Sequence, residues 1–113
     1  MLNKTLIVIV GPTAVGKTAM AIKLAEITGT EIISADSRQF YREMEIGTAK
    51  PTVKELKQIH HHFINSLSIQ DDYSVGDYEK DALKCLDSLF PKHNNVILVG
   101  GSGLFVKAVC EGL

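Results

Sequence analysis

Eight residues near the start of the chain, Gly11-Pro12-Thr13-Ala14-Val15-Gly16-Lys17-Thr18, carry the clearest chemical signal in the sequence. They match the spacing G-x-x-x-x-G-K-[ST] of a phosphate-binding loop. The glycines let the backbone wrap an anion and turn several N–H groups inward. A helix expected to follow adds its positive N-terminal end. Lys17 supplies a mobile cation, and the Thr18 hydroxyl can ligate Mg²⁺. The pattern names a phosphate as the guest and leaves open whose phosphate it is.

Two further stretches offer reactive groups. In Ser34-Ala35-Asp36-Ser37-Arg38-Gln39, Asp36 is expected just past the end of a strand, at the edge that faces the ligand crevice in open parallel sheets. A carboxylate there could hold a metal or act as a general base; it could equally cap a helix or a turn. Arg38 could clamp a phosphate or stack on a base, and Gln39 could read a base edge. Plain loop polarity is the alternative for both. The third stretch, Gly100-Gly101-Ser102-Gly103, allows close backbone approach and brings the Ser102 hydroxyl to the same sheet edge.

The elements that must position these groups follow from the apolar pattern. Leu6 to Val10 is continuous and β-branched, a strand expected to be buried on both faces. Lys17 to Thr28 is expected as a helix with Met20, Leu24 and Ile27 on its inward stripe, Ala21 and Ala25 beside them, and Gly29 as a left-handed end. Glu31 to Ala35 is a second short strand, which completes a βαβ unit. Residues 36–50 are expected to be mainly loop with one turn of helix. Thr52 to Glu55 is a capping box that opens a helix to about Ile59. His61 to Asn65 is a candidate strand. Ser74 to Asp77 is a second capping-box candidate, before a helix with Tyr78, Ala82, Leu86 and Leu89 on one face and Pro91 as its stop. Val96 to Val99 is another buried strand, and the last helix carries Leu104, Phe105, Ala108 and Val109. The expected core is α/β with three parallel strands. That is small for a doubly wound fold, so the chain is expected to be the first part of a longer protein.

Bulk properties narrow the function classes. The 113 residues suffice for one small domain, and a hydrophobic content of 45% with 22% charged residues is ordinary for a soluble globular protein. A formal net charge of −1 gives no electrostatic push toward nucleic acid, so any such contact is local or lies outside these residues. No apolar run is long enough to cross a bilayer, and no signal peptide is expected. Cys85 and Cys110 form no ligand or disulfide pattern and are expected as buried small hydrophobes in a reducing cytoplasm. His60-His61-His62 invites a metal reading, but consecutive residues in an extended chain point to alternate faces and no spaced partner follows. Asp71-Asp72 is expected as a solvated turn.

Taken in order, "GPTAVGKT", "SADSRQFYREMEIGTAKPT", "HHFIN", "YSVGDYEKDAL" and "VILVGGSGLFVKAVCEGL" make the chain resemble the N-terminal part of the tRNA dimethylallyltransferase (tRNA isopentenyltransferase) family, over essentially its whole length. The middle block discriminates, because Asp-Ser-x-Gln, an aromatic and "IGTAKP" do not form a general kinase pattern. The resemblance implies a P-loop NTPase-like parallel sheet flanked by helices, truncated relative to the full protein. Residues 1–113 would be its P-loop core, with about 52–90 including the start of a helical insertion. It implies transfer of a dimethylallyl group from dimethylallyl diphosphate to the exocyclic N6 amine of an adenosine beside the tRNA anticodon, with Mg²⁺. Gly11 to Thr18 would hold the diphosphate leaving group, with Lys17 in a catalytic role and Thr18 on the metal. Asp36 would be the general base, and Ser37, Arg38 and Gln39 would contact tRNA. Ser102, in place of the family's usual Thr, would lie near both donor and amine. Phe105 stands for a common Tyr, His60 for a Pro and Asn65 for an Asp. The same resemblance implies a cytoplasmic protein, monomeric at full length, whose basic RNA-binding motifs lie downstream, so that residues 1–113 alone are expected to be inactive. The rival readings are a small-molecule kinase with ATP in the same loop, and a non-catalytic nucleotide-binding module.

Overall fold

Among the described residues four parallel strands form one sheet: β1 (Thr5–Val10), β2 (Ile32–Ser34), β3 (His61–His62) and β4 (Asn95–Gly100). The computed structural model describes residues 4–11, 16–44, 50–101 and 104–111. Its helices are α1 (Lys17–Thr28), α2 (Ser37–Phe40), α3 (Val53–Gln58), α4 (Val75–Leu89) and α5 (Leu104–Glu111). The strand order is β1-β4-β2-β3. The first βαβ unit therefore straddles β4, with Ile97 of β4 paired to Ile7 on one side and to Ile32 on the other. This order sets the carboxyl ends of β1, β4 and β2 side by side, which places the loops that follow them around one space.

Side-chain alternation along the strands divides the core in two. On one face Ala21, Ile22 and Ala25 of α1 pack on Ile32 and Ile97. On the other, α4 and α5 bring Tyr78, Ala82, Leu86 and Val109 onto Ile33, Val96 and Leu98. The expected stripe of α1 holds in part: Leu24 packs against the first of these clusters, whereas Met20 is 56% and Ile27 71% exposed. Ala21, Ile22 and Ala25 take the inward face, and Met20 and Ile27 are displaced from it. Within the described residues β1 is the outermost strand of the sheet: the cluster under α4 and α5 reaches its Leu6, and Val8 and Val10 are exposed in this chain.

Both capping boxes form, at Thr52 with Glu55 and at Ser74 with Asp77, and Gly29 closes α1 in the left-handed region with its N–H on the Ala25 carbonyl. Residues 36–44 hold one turn of helix, as expected. Strand β3 is shorter than expected because Phe63 and Asn65 take φ of 69° and 56°, outside the extended region. The bend at Phe63 turns its ring into an aromatic cluster with Phe40 and Tyr78, centroids 6.2 and 5.3 Å away. Phe105 joins the same cluster edge-on, so this position is filled for packing. Cys85 is half-buried, and burial with Glu31's charge pushes its thiol up to about 11; Cys110 is exposed, contrary to expectation. Asp71 and Asp72 lie in an exposed turn, with Asp71 Oδ2 accepting the Ser68 N–H.

Tyr78 is fully buried and donates its hydroxyl to the Ser34 carbonyl at 2.8 Å. Burial pushes its phenol well up, so it stays a donor across the working range of pH. Tyr78→Phe keeps the ring contacts and strands that carbonyl, at an expected cost of about 1–2 kcal/mol. A lowered urea midpoint with unchanged m-value is the expected reading.

Candidate active site

The carboxyl ends of β1, β4 and β2 open onto a cavity of about 280 Å³. Lys17, Thr18, Asp36 and Gln39 are among its polar lining residues, and Ala21, Ile32, Pro51 and Val99 among its apolar ones. Gly16 is the N-cap of α1 in the left-handed region, φ 78°, and hands the chain into Lys17 and Thr18 at the helix start. That end of α1 carries unsatisfied N–H groups and a positive dipole, so the cavity presents a partial positive charge to an anion.

Lys17 Nζ donates to the carbonyls of Gly11 and Gly100, at 2.6 and 2.7 Å. Gly11 directly follows β1 and Gly100 ends β4, so the ammonium ties the ends of these neighbouring strands together at the start of α1. Burial lowers its pKa, Asp36 opposes that shift and Arg38 reinforces it. The turn after Gly100 needs the absent side chain: a Cβ there would lie 2.5 Å from Val106 Cγ2 and 3.2 Å from the Ala35 Cβ. Helix α5 thereby reaches the sheet edge closely enough to fix the direction in which β4 leaves the site.

Asp36 does two things. It is the N-cap of α2, with Oδ1 accepting the Arg38 N–H at 3.1 Å, and it lines the cavity. The capping reading and the carboxylate-in-crevice reading are therefore compatible. Its side chain is only 10% exposed, and Arg38 Nε lies 3.5 Å from Oδ1. Ser37 opens α2, and the exposed Arg38 stands over its first turn. Gln39 Oε1 accepts from Ser34 Oγ at 3.1 Å, and the same Ser34 oxygen lies 3.4 Å from the Asp36 N–H. Pro12, Thr13, Ala14, Val15 and Ser102 lie outside the described residues.

Several lining residues are not evident as site residues from spacing. Ser34 is one: it holds Gln39 while Tyr78 holds its carbonyl. Glu55 and His61 are others, brought to the cavity by α3 and β3. Burial lowers the pKa of His61, whose Nδ1 lies 2.9 Å from the Ile59 carbonyl. The signal for His61 is its alternation with His60 and His62, which turns it to the other side of β3.

Known proteins resemble the chain in sequence and fold. A tRNA dimethylallyltransferase of Christiangramia forsetii is 58% identical over 112 residues, which are 99% of this chain and 37% of that protein. The full-length tRNA isopentenylpyrophosphate transferase structure from Bacillus halodurans superposes with a TM-score of 0.90 at 40% identity, over 98% of this chain and 37% of that one. A eukaryotic dimethylallyltransferase acting on tRNA gives a TM-score of 0.85 at 30% identity, over 93% of this chain and 26% of that one. The chain thus spans a little over a third of the length of its bacterial relatives, and its fold is P-loop NTPase-like, as these neighbours are. The family model for IPP transferase matches residues 39–113, about two thirds of the chain, and the chain belongs to that family.

Proposed function

We propose that the protein to which this chain contributes is a cytoplasmic tRNA prenyltransferase, monomeric at full length. It transfers a dimethylallyl group from dimethylallyl diphosphate to the N6 amine of an adenosine beside the anticodon. The observation that carries this reading is the mixed lining of the cavity. Lys17 and the start of α1 suit a diphosphate, and Ala21, Ile32 and Val99 suit a short hydrocarbon attached to it. A kinase has less use for apolar lining in that cavity, since the γ-phosphate of ATP must meet a polar acceptor.

The residues divide the work. An adenine amine is a weak nucleophile because its lone pair is delocalised into the ring, so Asp36 takes its proton as the new C–N bond forms. Negative charge grows on the departing diphosphate, beside the Lys17 ammonium and the positive N-terminal end of α1. Arg38 and Gln39, at the rim beside Asp36, contact the tRNA. The acceptor base is extruded from its loop to reach the cavity, which single-stranded RNA loops permit. The Thr18 hydroxyl is a hard oxygen donor lining the same cavity, which fits Mg²⁺. When bound, the ion supplies further neutralisation of the leaving group.

The deciding experiment gives the full-length protein labelled dimethylallyl diphosphate or γ-labelled ATP, with tRNA. Label in the tRNA from the prenyl donor is expected. Transfer of the γ-phosphate without prenylation would overturn the assignment in favour of a kinase.

A further inference from the structure

At the amino ends of the strands, across the sheet from the phosphate cavity, a second cluster of polar side chains assembles. Glu31 directly precedes β2, His60 directly precedes β3, His62 lies within β3, and His93 stands shortly before β4. His60 and His62, two apart, project to the same side of the chain. The pairing of Ile32 with His61 and of Ile33 with His62 brings Glu31 alongside them. Glu31 Oε1 lies 2.7 Å from His62 Nε2, and its Oε2 lies 3.6 Å from His93 Nε2. The His60 and His62 rings stack with centroids 4.3 Å apart. One ligand atom from each of Glu31, His60 and His62 falls within 4.8 Å of the others.

We propose that Glu31, His60 and His62 bind a divalent transition-metal ion of the zinc class, with His93 as a fourth ligand or as the group that orients the Glu31 carboxylate. Two imidazoles and a carboxylate are a donor set that zinc accepts, and bond lengths of about 2.0–2.2 Å put neighbouring ligand atoms roughly 3.3 Å apart. Small side-chain rotations bring the three atoms to that spacing. The Glu31–His62 hydrogen bond, shorter than that, opens to admit the ion, and the metal replaces the shared proton. The ligands come from the approaches to two adjacent strands, with His93 on the approach to a third, so the ion would clip together the sheet end opposite the cavity. None of these four residues carries the proposed prenyl transfer, and the inference stands independently of it.

The test is a titration of the chelator-treated full-length protein with Co²⁺, followed by visible absorption, and with Zn²⁺, followed by melting temperature. One equivalent of Co²⁺ is expected to give the intense bands of a four- or five-coordinate site, and Zn²⁺ to raise the melting temperature. His62→Ala and Glu31→Gln are expected to weaken binding at least about 10–100-fold, the range for outer-shell partners, while Lys17→Ala leaves the bands in place. His60 is exposed, so His60→Ala tests the site with little risk to folding. Absence of the bands in the unaltered protein, or bands and thermal shift that persist undiminished in His60→Ala and Glu31→Gln, would overturn the proposal.

Discussion

Asp36→Asn in the full-length protein is expected to slow prenyl transfer by about 10²–10⁴-fold, the usual worth of a well-placed general base. Donor binding and the fold are expected to be kept. The choice of asparagine follows from the two positions Asp36 occupies at once. Its Oδ1 caps α2 through the Arg38 N–H, and its carboxylate lines the cavity. Asparagine caps as well as aspartate does, so the helix turn that carries Arg38 and Gln39 keeps its start. It cannot take a proton. Asp36→Ala removes both functions and adds about 1 kcal/mol of lost capping to the lost rate. The pair of variants therefore separates the cap from the chemistry: a capping role alone would leave Asn at the wild-type rate and damage Ala only. Single-turnover rates with saturating donor, beside donor affinity measured directly, distinguish the outcomes. Loss of the Asp36 charge also removes the one influence that raises the Lys17 pKa, so the lysine is expected to titrate lower still in both variants.

The parts of this fold legible in the sequence are those fixed by local rules. A capping box is a contact between residues three apart, and both form where the pattern puts them. The inward face of α4 is equally local, a run of apolar residues at helical spacing, and Tyr78, Ala82, Leu86 and Leu89 are all buried. What escapes is set by partners distant in the chain. Nothing in Leu6 to Val10 says which strand lies beside it; β4, about ninety residues later, enters between β1 and β2. The inward side of α1 differs from the stripe that hydrophobicity favours at Met20 and Ile27, because packing on the sheet takes Ala21, Ile22 and Ala25. The left-handed backbone at Phe63 is held by the aromatic cluster around it, which no sequence window contains. The candidate site divides the same way. The loop motif and Asp36 are readable, while Ser34 and His61 reach the cavity through the sheet. The histidine run lacks a partner in sequence, but β2–β3 pairing supplies Glu31 from about thirty residues earlier.

Lys17→Ala is expected to lower kcat/KM for the donor by about 10²–10³-fold, the cost of deleting one preorganised donor to developing negative charge. The structure gives the lysine a second occupation that complicates a simple reading. Its ammonium holds the Gly11 and Gly100 carbonyls at 2.6 and 2.7 Å and so joins the ends of β1 and β4. Removing it leaves two acceptors to be satisfied by water, which is available because the site is an open cavity, so the stability cost is expected to be small. Alanine is also the best helix former, and α1 keeps Gly16 as its N-cap. The rate loss should therefore appear without a matching loss of fold. Lys17→Arg sharpens the point. It keeps the positive charge but replaces a compact three-donor ammonium with a planar fork, which cannot occupy the same point between two carbonyls and an anion. It is expected to bind the diphosphate better than Lys17→Ala and still turn over poorly. Donor affinity and single-turnover rate measured together on the two variants separate charge from placement. A Lys17→Ala protein that keeps its rate and merely melts earlier would assign the lysine to the two strand ends alone.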